Sequence, residues 1–399
     1  MRIADASTYV VGNPDPGVGG RAFVFVKLTT DDGLSGIGEA YVAGFHPHTV
    51  ARLIEEVCDR HVIGADATRI ERLWHDVYAR GYGGRPEITL VGVLSGIELA
   101  LWDILGKSTG RPAHELLGGR VRDRVRTYTY VYSEPDDNAD VYSDPDLAGE
   151  RAAAYVELGH TALKFDPAGR YTSLDPRQPS RPELTRIGRY VRAVRDAVGD
   201  RADILFGTHG QFTTAGAIRV ARELEPVDPL WFEEPIPPES PEEMAKVARA
   251  TSIPVATGER LATKHEFARV LATGAASILQ MNLGRVGGLL EAKKIAGMAE
   301  AHYAQIAPHL YCGPVVAAAN LQLALCSPNF LVLEGIREWG GFHAKLLRSP
   351  FTWEDGYVLA PAAPGLGVEL DEDVAAAHPY TGAELHLEPV YGEHEGIVP

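Results

Sequence analysis

Two glutamates in this sequence end short apolar runs and could share a cation. Glu233 ends the run Leu230–Glu233, and Glu259 ends the run Pro254–Glu259. Neighbouring carboxylates repel each other and raise each other's pKa, so a pair of them on adjacent strands is best explained by a bound cation. Oxygen ligands of this kind favour Mg2+ or Mn2+. The pair therefore predicts a divalent metal site.

A repeating pattern of strands and helices would position these glutamates. From about residue 125, short apolar runs alternate with helical stretches, which implies parallel strands. Eight such units over about 240 residues favour a (β/α)8 barrel, whose reactive groups lie at the carboxyl ends of the strands. The predicted strands are Val125–Tyr132, Ala162–Phe165, Asp203–Gly207, Leu230–Glu233, Pro254–Glu259, Ser277–Asn282, Gln305–His309 and Leu331–Glu334. The polar or ionisable residues at their ends are Lys164, Asp166, His209, Glu233, Glu259, Asn282, His309 and Glu334.

The first 124 residues follow a different pattern, with a hairpin before the helices. Ala22–Leu28 and Gly36–Ala40 flank a turn and read as two strands. Helical stretches follow, and glycine-rich loops at 13–20 and 81–86 could act as lids. We predict an α+β capping domain over 1–124, the barrel over 125–365, and a segment over 366–399 that packs back on the capping domain.

The charge and cysteine content exclude several classes of protein. A formal net charge of −16 argues against binding of nucleic acid or anionic lipid, although a local cation could still attract an anionic substrate. The chain has neither the pattern of a signal peptide nor a run of about 18 apolar residues, so no membrane-spanning helix is expected. Cys58, Cys312 and Cys326 fit no metal motif, which favours a reduced, cytoplasmic compartment.

Five sequence motifs, taken together, carry a family resemblance over nearly the whole chain. They are ALWDILGK (100–107), WFEEP (231–235), ATGER (256–260), QMNLGRVGG (280–288) and APHLYCGP (307–314). The set resembles the enolase superfamily, in its mandelate racemase/muconate lactonizing enzyme branch. The last motif is most similar to that of galactonate-type acid-sugar dehydratases.

The resemblance implies a fold and a reaction. The fold is α/β, an enolase-like (β/α)8 barrel with an N-terminal α+β capping domain. A divalent ion, Mg2+ or possibly Mn2+, would bind the carboxylate of a small sugar acid and stabilise an enediolate. A base would remove the α-proton and an acid would expel the 3-hydroxyl, which gives a 2-keto-3-deoxy sugar acid. Members of the family often form homo-oligomers, so we expect one here.

One departure from the family pattern concerns the metal. The first ligand of the family is an aspartate at the end of the third strand, where this chain has Gly207. His209 stands two residues later, where galactonate-type dehydratases carry a catalytic histidine. It could remain the acid or become a ligand, and a nitrogen ligand would favour Mn2+.

Two further departures concern proton transfer. An aspartate of the sixth strand usually supports the seventh-strand histidine, but here Asn282 precedes His309 by the usual 27 residues. An amide adds no charge, so His309 should be a weaker base than usual or act as an acid. Racemases of the group carry Lys-x-Lys, and here Asp166 replaces the second lysine after Lys164. Racemisation by two bases is therefore disfavoured.

These observations predict a hydro-lyase that dehydrates acid sugars. We expect His309 to be the general base and His209 the acid, with Glu334 assisting near the substrate. Lys164 would offset charge near the substrate carboxylate, and Asn282 would orient His309. Glu233 and Glu259 would bind the metal, with His209 as a possible third ligand. The alternatives are an isomerase or cycloisomerase of a sugar-acid lactone, and a paralogue without catalytic activity.

Overall fold

A computed structural model describes residues 1–14, 17–79, 84–169 and 176–387. Within these residues the chain forms two compact units. Unit 1 contains Met1–Arg126, Gly258–Ala268 and Gln280–Leu387, and unit 2 contains Thr127–Thr257 and Arg269–Leu279. The strands are β1 (Ile3–Gly12), β2 (Ala22–Thr30), β3 (Ser35–Ala40), β4 (Arg124–Tyr130), β5 (Ala162–Phe165), β6 (Asp203–Gly207), β7 (Trp231–Glu233), β8 (Val255–Thr257), β9 (Ile278–Leu279), β10 (Gln305–Ile306), β11 (Leu333–Gly335), β12 (Trp353–Glu354) and β13 (Tyr357–Leu359). The α-helices are α1 (Pro47–Val57), α2 (Ile70–Tyr78), α3 (Ile88–Thr109), α4 (Ala113–Leu116), α5 (Pro145–Glu157), α6 (Arg181–Val198), α7 (Thr214–Leu224), α8 (Pro241–Ala248), α9 (Thr263–Thr273), α10 (Gly288–Ala301), α11 (Pro314–Leu325), α12 (Gly341–Lys345) and α13 (Glu372–Ala377).

Unit 1 begins with an antiparallel sheet in the order β1-β2-β3, which packs on α3. The predicted hairpin is confirmed as β2 and β3, which pair from Val24 with Ala40 to Thr29 with Ser35. Close approach of β3 to α3 requires glycine, because a Cβ atom on Gly38 would overlap the carbonyl oxygen of Gly96. Strand β3 therefore packs directly against the backbone of α3.

Helix α3 is a long apolar helix of unit 1. By length and composition it could cross a membrane, with a mean hydropathy of 1.8, but 78% of its most apolar window is buried inside the protein. Its first turn is capped by the Glu87 carboxylate, which accepts hydrogen bonds from the N–H groups of Thr89 and Leu90. These contacts are those of a core helix.

The remainder of unit 1 carries α10, α11 and the carboxyl-terminal segment. Buried carboxylates cap the first turns of both helices. Glu98 accepts N–H bonds from Leu289 and Leu290 at the start of α10, and Glu39 accepts them from Val315 and Val316 at the start of α11. The carboxyl-terminal segment returns to β1, where the N–H of Gly12 donates to the carbonyl of His378 and the N–H of Tyr380 donates to the carbonyl of Val10.

Unit 2 contains a parallel sheet in the order β4-β5-β6-β7-β8-β9, with helices between successive strands. Parallel pairing of consecutive strands follows from these strand–helix connections. Helix α6 shows how the sequence sets one boundary. Ser180 and Glu183 form a capping box: the Ser180 side chain accepts a hydrogen bond from the Glu183 N–H, and the Glu183 carboxylate accepts one from the Ser180 N–H. Pro182 lies in the first turn, where its missing N–H costs no helical hydrogen bond.

The strand bounds agree with the sequence prediction in part. Ala162–Phe165 and Asp203–Gly207 are confirmed without change, whereas the strand predicted as Pro254–Glu259 extends only over β8 and that predicted as Ser277–Asn282 only over β9. Glu259 and Asn282 therefore lie in the loops that follow short strands. Part of each glycine-rich loop predicted as a lid, 13–20 and 81–86, lies outside the described residues.

Candidate active site

In unit 2, the carboxyl ends of adjacent parallel strands bring Lys164, Gly207 and Glu233 close together. Gly207 on β6 is in register with Glu233 on β7, and Lys164 on β5 is in register with Tyr130 on β4. Lys164 and Glu233 are 1% and 2% exposed. These registers bring the two side chains together at one end of the sheet.

Lys164 and Glu233 form a buried ion pair. The Nζ atom of Lys164 lies 2.6 Å from Oε1 of Glu233. The other carboxylate oxygen, Oε2, accepts a hydrogen bond of 3.1 Å from the indole N–H of Trp231. The ammonium also lies 4.7 Å from the centre of the Tyr130 ring, within cation–π distance. Removing either member of such a pair leaves an uncompensated buried charge, which is strongly destabilising.

His209 has a carboxylate partner that sequence analysis did not assign to it. Its Nδ1 atom lies 3.1 Å from Oδ2 of Asp166, which is 6% exposed. Burial raises the pKa of the Asp166 carboxyl, and the hydrogen bond from His209 opposes this shift. A carboxylate can only accept, so Nδ1 of His209 carries the proton and Nε2 of the neutral ring can accept one.

The loops that follow β6 and β7 hold strained backbone conformations. His209 has a φ of 48° and Glu234 a φ of 39°, in the left-handed region that residues other than glycine seldom adopt. The Thr208 hydroxyl donates to the carbonyls of Glu233 and Glu234, and the N–H of Gly210 donates to the carbonyl of Glu234. These bonds fix both loops and thereby the direction of the His209 side chain. Strain of this kind is concentrated at functional sites.

In unit 1, backbone hydrogen bonds align the three chain segments that carry Asn282, His309 and Glu334. The N–H of His309 donates to the carbonyl of Met281, and the N–H of Glu334 donates to the carbonyl of Pro308. The side chains of Asn282, His309 and Glu334 are all buried. Three residues predicted from strand ends therefore lie together in unit 1.

The hydrogen bonds of Asn282 determine which nitrogen of His309 carries a proton. The N–H of Gly284 donates to Oδ1 of Asn282 at 2.9 Å, so the amide nitrogen of Asn282 faces Nδ1 of His309, also at 2.9 Å. That nitrogen is a donor, and Nδ1 must accept. Neutral His309 therefore carries its proton on Nε2, which lies 3.0 Å from Oε2 of Glu259.

Glu259 and Glu334 flank the Nε2 side of His309. Oε2 of Glu334 lies 3.8 Å from Nε2 and accepts a hydrogen bond of 2.7 Å from the N–H of Leu310. The backbone carbonyl of Glu259 accepts a hydrogen bond from Nη1 of Arg285 at 3.0 Å. Two carboxylates thus favour a protonated Nε2 on His309, through hydrogen bonding and charge.

The residues of unit 2 do not fit the metal site that the resemblance implies. Gly207 has no side chain to offer, and a Cβ atom there would lie 2.9 Å from Oη of Tyr130 and 3.1 Å from Cε of Lys164. Glu233 already faces the Lys164 ammonium. Across the described residues, no group of three or more His, Cys, Asp or Glu residues has an arrangement that could hold a metal ion.

Sequence analysis assigned no role in the site to Asp166 or Tyr130. It named Asp166 only as a polar residue at a strand end and as the replacement of a second lysine, although Asp166 follows Lys164 by two residues, and alternate residues of a strand point to the same face. That spacing at a strand end was the available signal. Nothing in the sequence pairs Tyr130 with Gly207, because the two residues are 77 positions apart and meet only through the strand register.

Comparisons with known proteins define the family. Residues 147–374 match the family described as enolase C-terminal domain-like, and residues 16–118 match the mandelate racemase/muconate lactonizing enzyme N-terminal domain. The chain belongs to the enolase superfamily, in the mandelate racemase/muconate lactonizing enzyme branch. The predicted α/β fold class, with its N-terminal and C-terminal domains, is confirmed, and the parallel sheet of unit 2 is consistent with a (β/α)8 barrel.

Individual relatives match the chain over almost its full length. D-xylonate dehydratase of Haloferax volcanii is 34% identical, over 96% of this chain and 95% of the relative. D-galactonate dehydratase of Ralstonia nicotianae is 36% identical, over 94% of this chain and 96% of the relative. Among solved structures, the mandelate racemase/muconate lactonizing enzyme from Sulfitobacter sp. is 51% identical, with a TM-score of 0.95 over 98% of this chain and 99% of that one.

Proposed function

We propose that this protein is an acid-sugar dehydratase, a hydro-lyase that converts a polyhydroxy acid to its 2-keto-3-deoxy product. The observation that carries this proposal is the opposite protonation of two histidines, one able to accept a proton at Nε2 and one able to donate it. Elimination of water requires both a base for the α-proton and an acid for the leaving hydroxyl. The names of the relatives, D-xylonate and D-galactonate dehydratase, support the same class of reaction.

The hydrogen bonds favour an exchange of the two predicted roles. With its proton on Nδ1, the neutral ring of His209 has its acceptor lone pair on Nε2, and its carboxylate partner, Asp166, stabilises the imidazolium formed on proton uptake. His309 carries a proton on Nε2 and has the neutral partner Asn282. In this proposal His209 removes the α-proton and His309 protonates the departing hydroxyl. The reverse assignment, made from the motifs, remains the competing prediction.

The other predicted residues have positioning and charge roles in the proposal. Asn282 holds the tautomer of His309, and Glu334 fixes the loop after β10 through Leu310. Lys164 neutralises Glu233 and is the buried cation of unit 2 nearest to Gly207. A substrate carboxylate and the charge of the enediolate both require positive charge nearby.

The cofactor, compartment and assembly are predictions from the motifs and composition. For the metal, the motifs predict Mg2+ or Mn2+ on Glu233 and Glu259, with His209 as a possible ligand, whereas the Lys164–Glu233 ion pair argues against an ion at Glu233. Gly207 provides no ligand, and the steps above use only side chains of this chain. The three free, buried cysteines are in keeping with a reducing cytoplasm. A homo-oligomer that acts on a small sugar acid, without nucleic acid or membrane, completes the proposal.

The proposal is tested with a library of aldonates, aldarates and their lactones, assayed for 2-keto-3-deoxy product. Each substrate is incubated with enzyme in Mg2+, in Mn2+ and in chelator, and parallel reactions in D2O are examined for exchange at the α-carbon. Product from one stereochemical group is the expected result. Exchange without product would favour an isomerase. The absence of both α-exchange and product across the whole library would contradict the proposal that this protein is an enzyme of this class.

A further inference from the structure

The position of Gly207 leads to an inference about the cation at Glu233. Gly207 and Glu233 are paired in register on adjacent strands. The space into which a side chain at position 207 would project is taken by two groups, Oη of Tyr130 and Cε of Lys164, at 2.9 and 3.1 Å from the Cβ position. Both distances are tighter than real Cβ contacts normally allow, so an aspartate at 207 would require Lys164 or Tyr130 to move.

We infer that the Lys164 ammonium is the resident cation of Glu233, and that it replaces a metal ion there. Nζ of Lys164 lies 2.6 Å from Oε1 of Glu233, and Trp231 occupies Oε2 through its indole N–H. Each oxygen of the carboxylate therefore already has a donor. The ammonium also lies 4.7 Å from the centre of the Tyr130 ring.

Electrostatics make the lysine and a metal ion competitors for the same carboxylate. A divalent ion on Oε1 of Glu233 would stand beside a buried ammonium, and like charges in a water-poor interior repel strongly. Lys164 is 1% exposed, so water cannot solvate its ammonium while the side chain stays in the interior. Gly207, in register with Glu233, offers no side chain that could offset this repulsion. The inference stands on these contacts and does not depend on the proposed reaction.

The test is a Mn2+ titration followed by electron paramagnetic resonance of the free ion, with metal content measured by mass spectrometry after purification. For the wild-type protein we expect less than about one tenth of an equivalent of tightly held divalent metal. For Lys164→Met, which vacates the carboxylate while keeping the aliphatic stem, we expect Mn2+ affinity to rise by at least about tenfold. Glu233→Gln in the Lys164→Met background should abolish the gain, and Lys164→Arg should behave as the wild type.

Two results would overturn the inference. One is a full equivalent of metal on the wild-type protein that Glu233→Gln removes. The other is a folded Lys164→Met protein, verified by circular dichroism, whose Mn2+ affinity equals that of the wild type. The wild-type titration decides the matter even where a variant does not fold. No readout uses a sugar acid, so failure of this inference is distinguishable from failure of the dehydratase proposal.

Discussion

The surroundings of the two histidines differ in charge. In unit 2, His209 is paired with the carboxylate of Asp166, and the neighbouring Glu233 is paired with Lys164. In unit 1, His309 has the amide of Asn282 at Nδ1 and the carboxylate of Glu259 at Nε2. The charged partner therefore contacts opposite nitrogens of the two rings. A partner at Nδ1 prepares Nε2 to accept a proton, whereas a carboxylate at Nε2 favours a proton there.

The largest expected effects separate the two histidines by substitution. His209→Asn and His309→Asn should each lower turnover on the order of 10³-fold, because each removes a proton-transfer group. Asparagine is chosen because it tolerates the left-handed backbone at His209, and the same substitution at His309 keeps the two variants comparable. Exchange of the α-proton with D2O, followed by NMR, should be lost in His209→Asn and kept in His309→Asn.

The opposite pattern of exchange would decide against the exchanged roles. If His209→Asn retained α-exchange and His309→Asn lost it, His309 would be the base, as the motifs predict. Circular dichroism of both variants serves as the control for folding.

A smaller effect is expected from the partners of the two rings. Asp166→Asn should lower turnover on the order of 10²-fold, because the amide cannot stabilise an imidazolium on His209 as a carboxylate does. Asn282→Asp is the matched variant, and it should convert His309 to a ring protonated on Nδ1. The pH–rate profile of each variant is the measurement. Equal turnover of Asp166→Asn and wild type would show that Asp166 has only a structural role.

The sequence predicted the positions of most candidate residues better than their partners. Strands β5 and β6 were predicted with correct bounds because their residues form continuous apolar runs, as buried parallel strands do. Strand β1 was not predicted, because most of its residues are only partly buried and its pattern IADASTYVVG mixes polar with apolar side chains. The spacing of the units nevertheless indicated the ends of β5 and β6, whereas β8 and β9 end before the predicted positions of Glu259 and Asn282.

The pairing of side chains could not be predicted, since it depends on long-range geometry. The contact of His209 with Asp166 requires a φ of 48° at His209, a conformation that no local pattern signals for histidine. The Lys164–Glu233 pair depends on the alignment of β5, β6 and β7. The chemistry of each group was therefore predictable by type, whereas the acid and base roles that we propose rest on contacts seen only in the folded chain.

Unit 1 also contains a buried carboxylate, Glu39, near the loop of His309. Glu39 accepts N–H bonds from Val315 and Val316 at the start of α11, yet burial raises its pKa from 4.5 to about 7. Because the pKa of Glu39 is higher in the folded than in the unfolded chain, protonation of Glu39 stabilises the folded state. That contribution to the free energy of unfolding is complete below pH 4.5 and is lost as the pH rises through about 7. The loss is roughly 3 kcal/mol of unfolding free energy.

Urea denaturation at pH 5 and pH 8 measures this effect. Glu39→Gln should flatten the dependence of unfolding free energy on pH, and the exposed control Glu354→Gln should leave it unchanged. An undiminished slope in Glu39→Gln would show that Glu39 does not carry the effect, and Glu98, whose pKa burial also raises to about 7, would be the next residue to substitute.

The smallest expected effect concerns the space beside Gly207 in unit 2. Gly207→Ala places a methyl group against Oη of Tyr130 and Cε of Lys164, and it should destabilise the protein by about 1–2 kcal/mol through overpacking. Gly297→Ala is the matched control, because this exposed glycine within α10 has open space around its Cβ position. Alanine should stabilise that helix by about 0.5–1 kcal/mol. Thermal or urea denaturation of both variants gives the comparison, and a Gly207→Ala protein as stable as Gly297→Ala would mean that Lys164 and Tyr130 yield the space freely, so that a metal ligand at position 207 would meet no packing barrier.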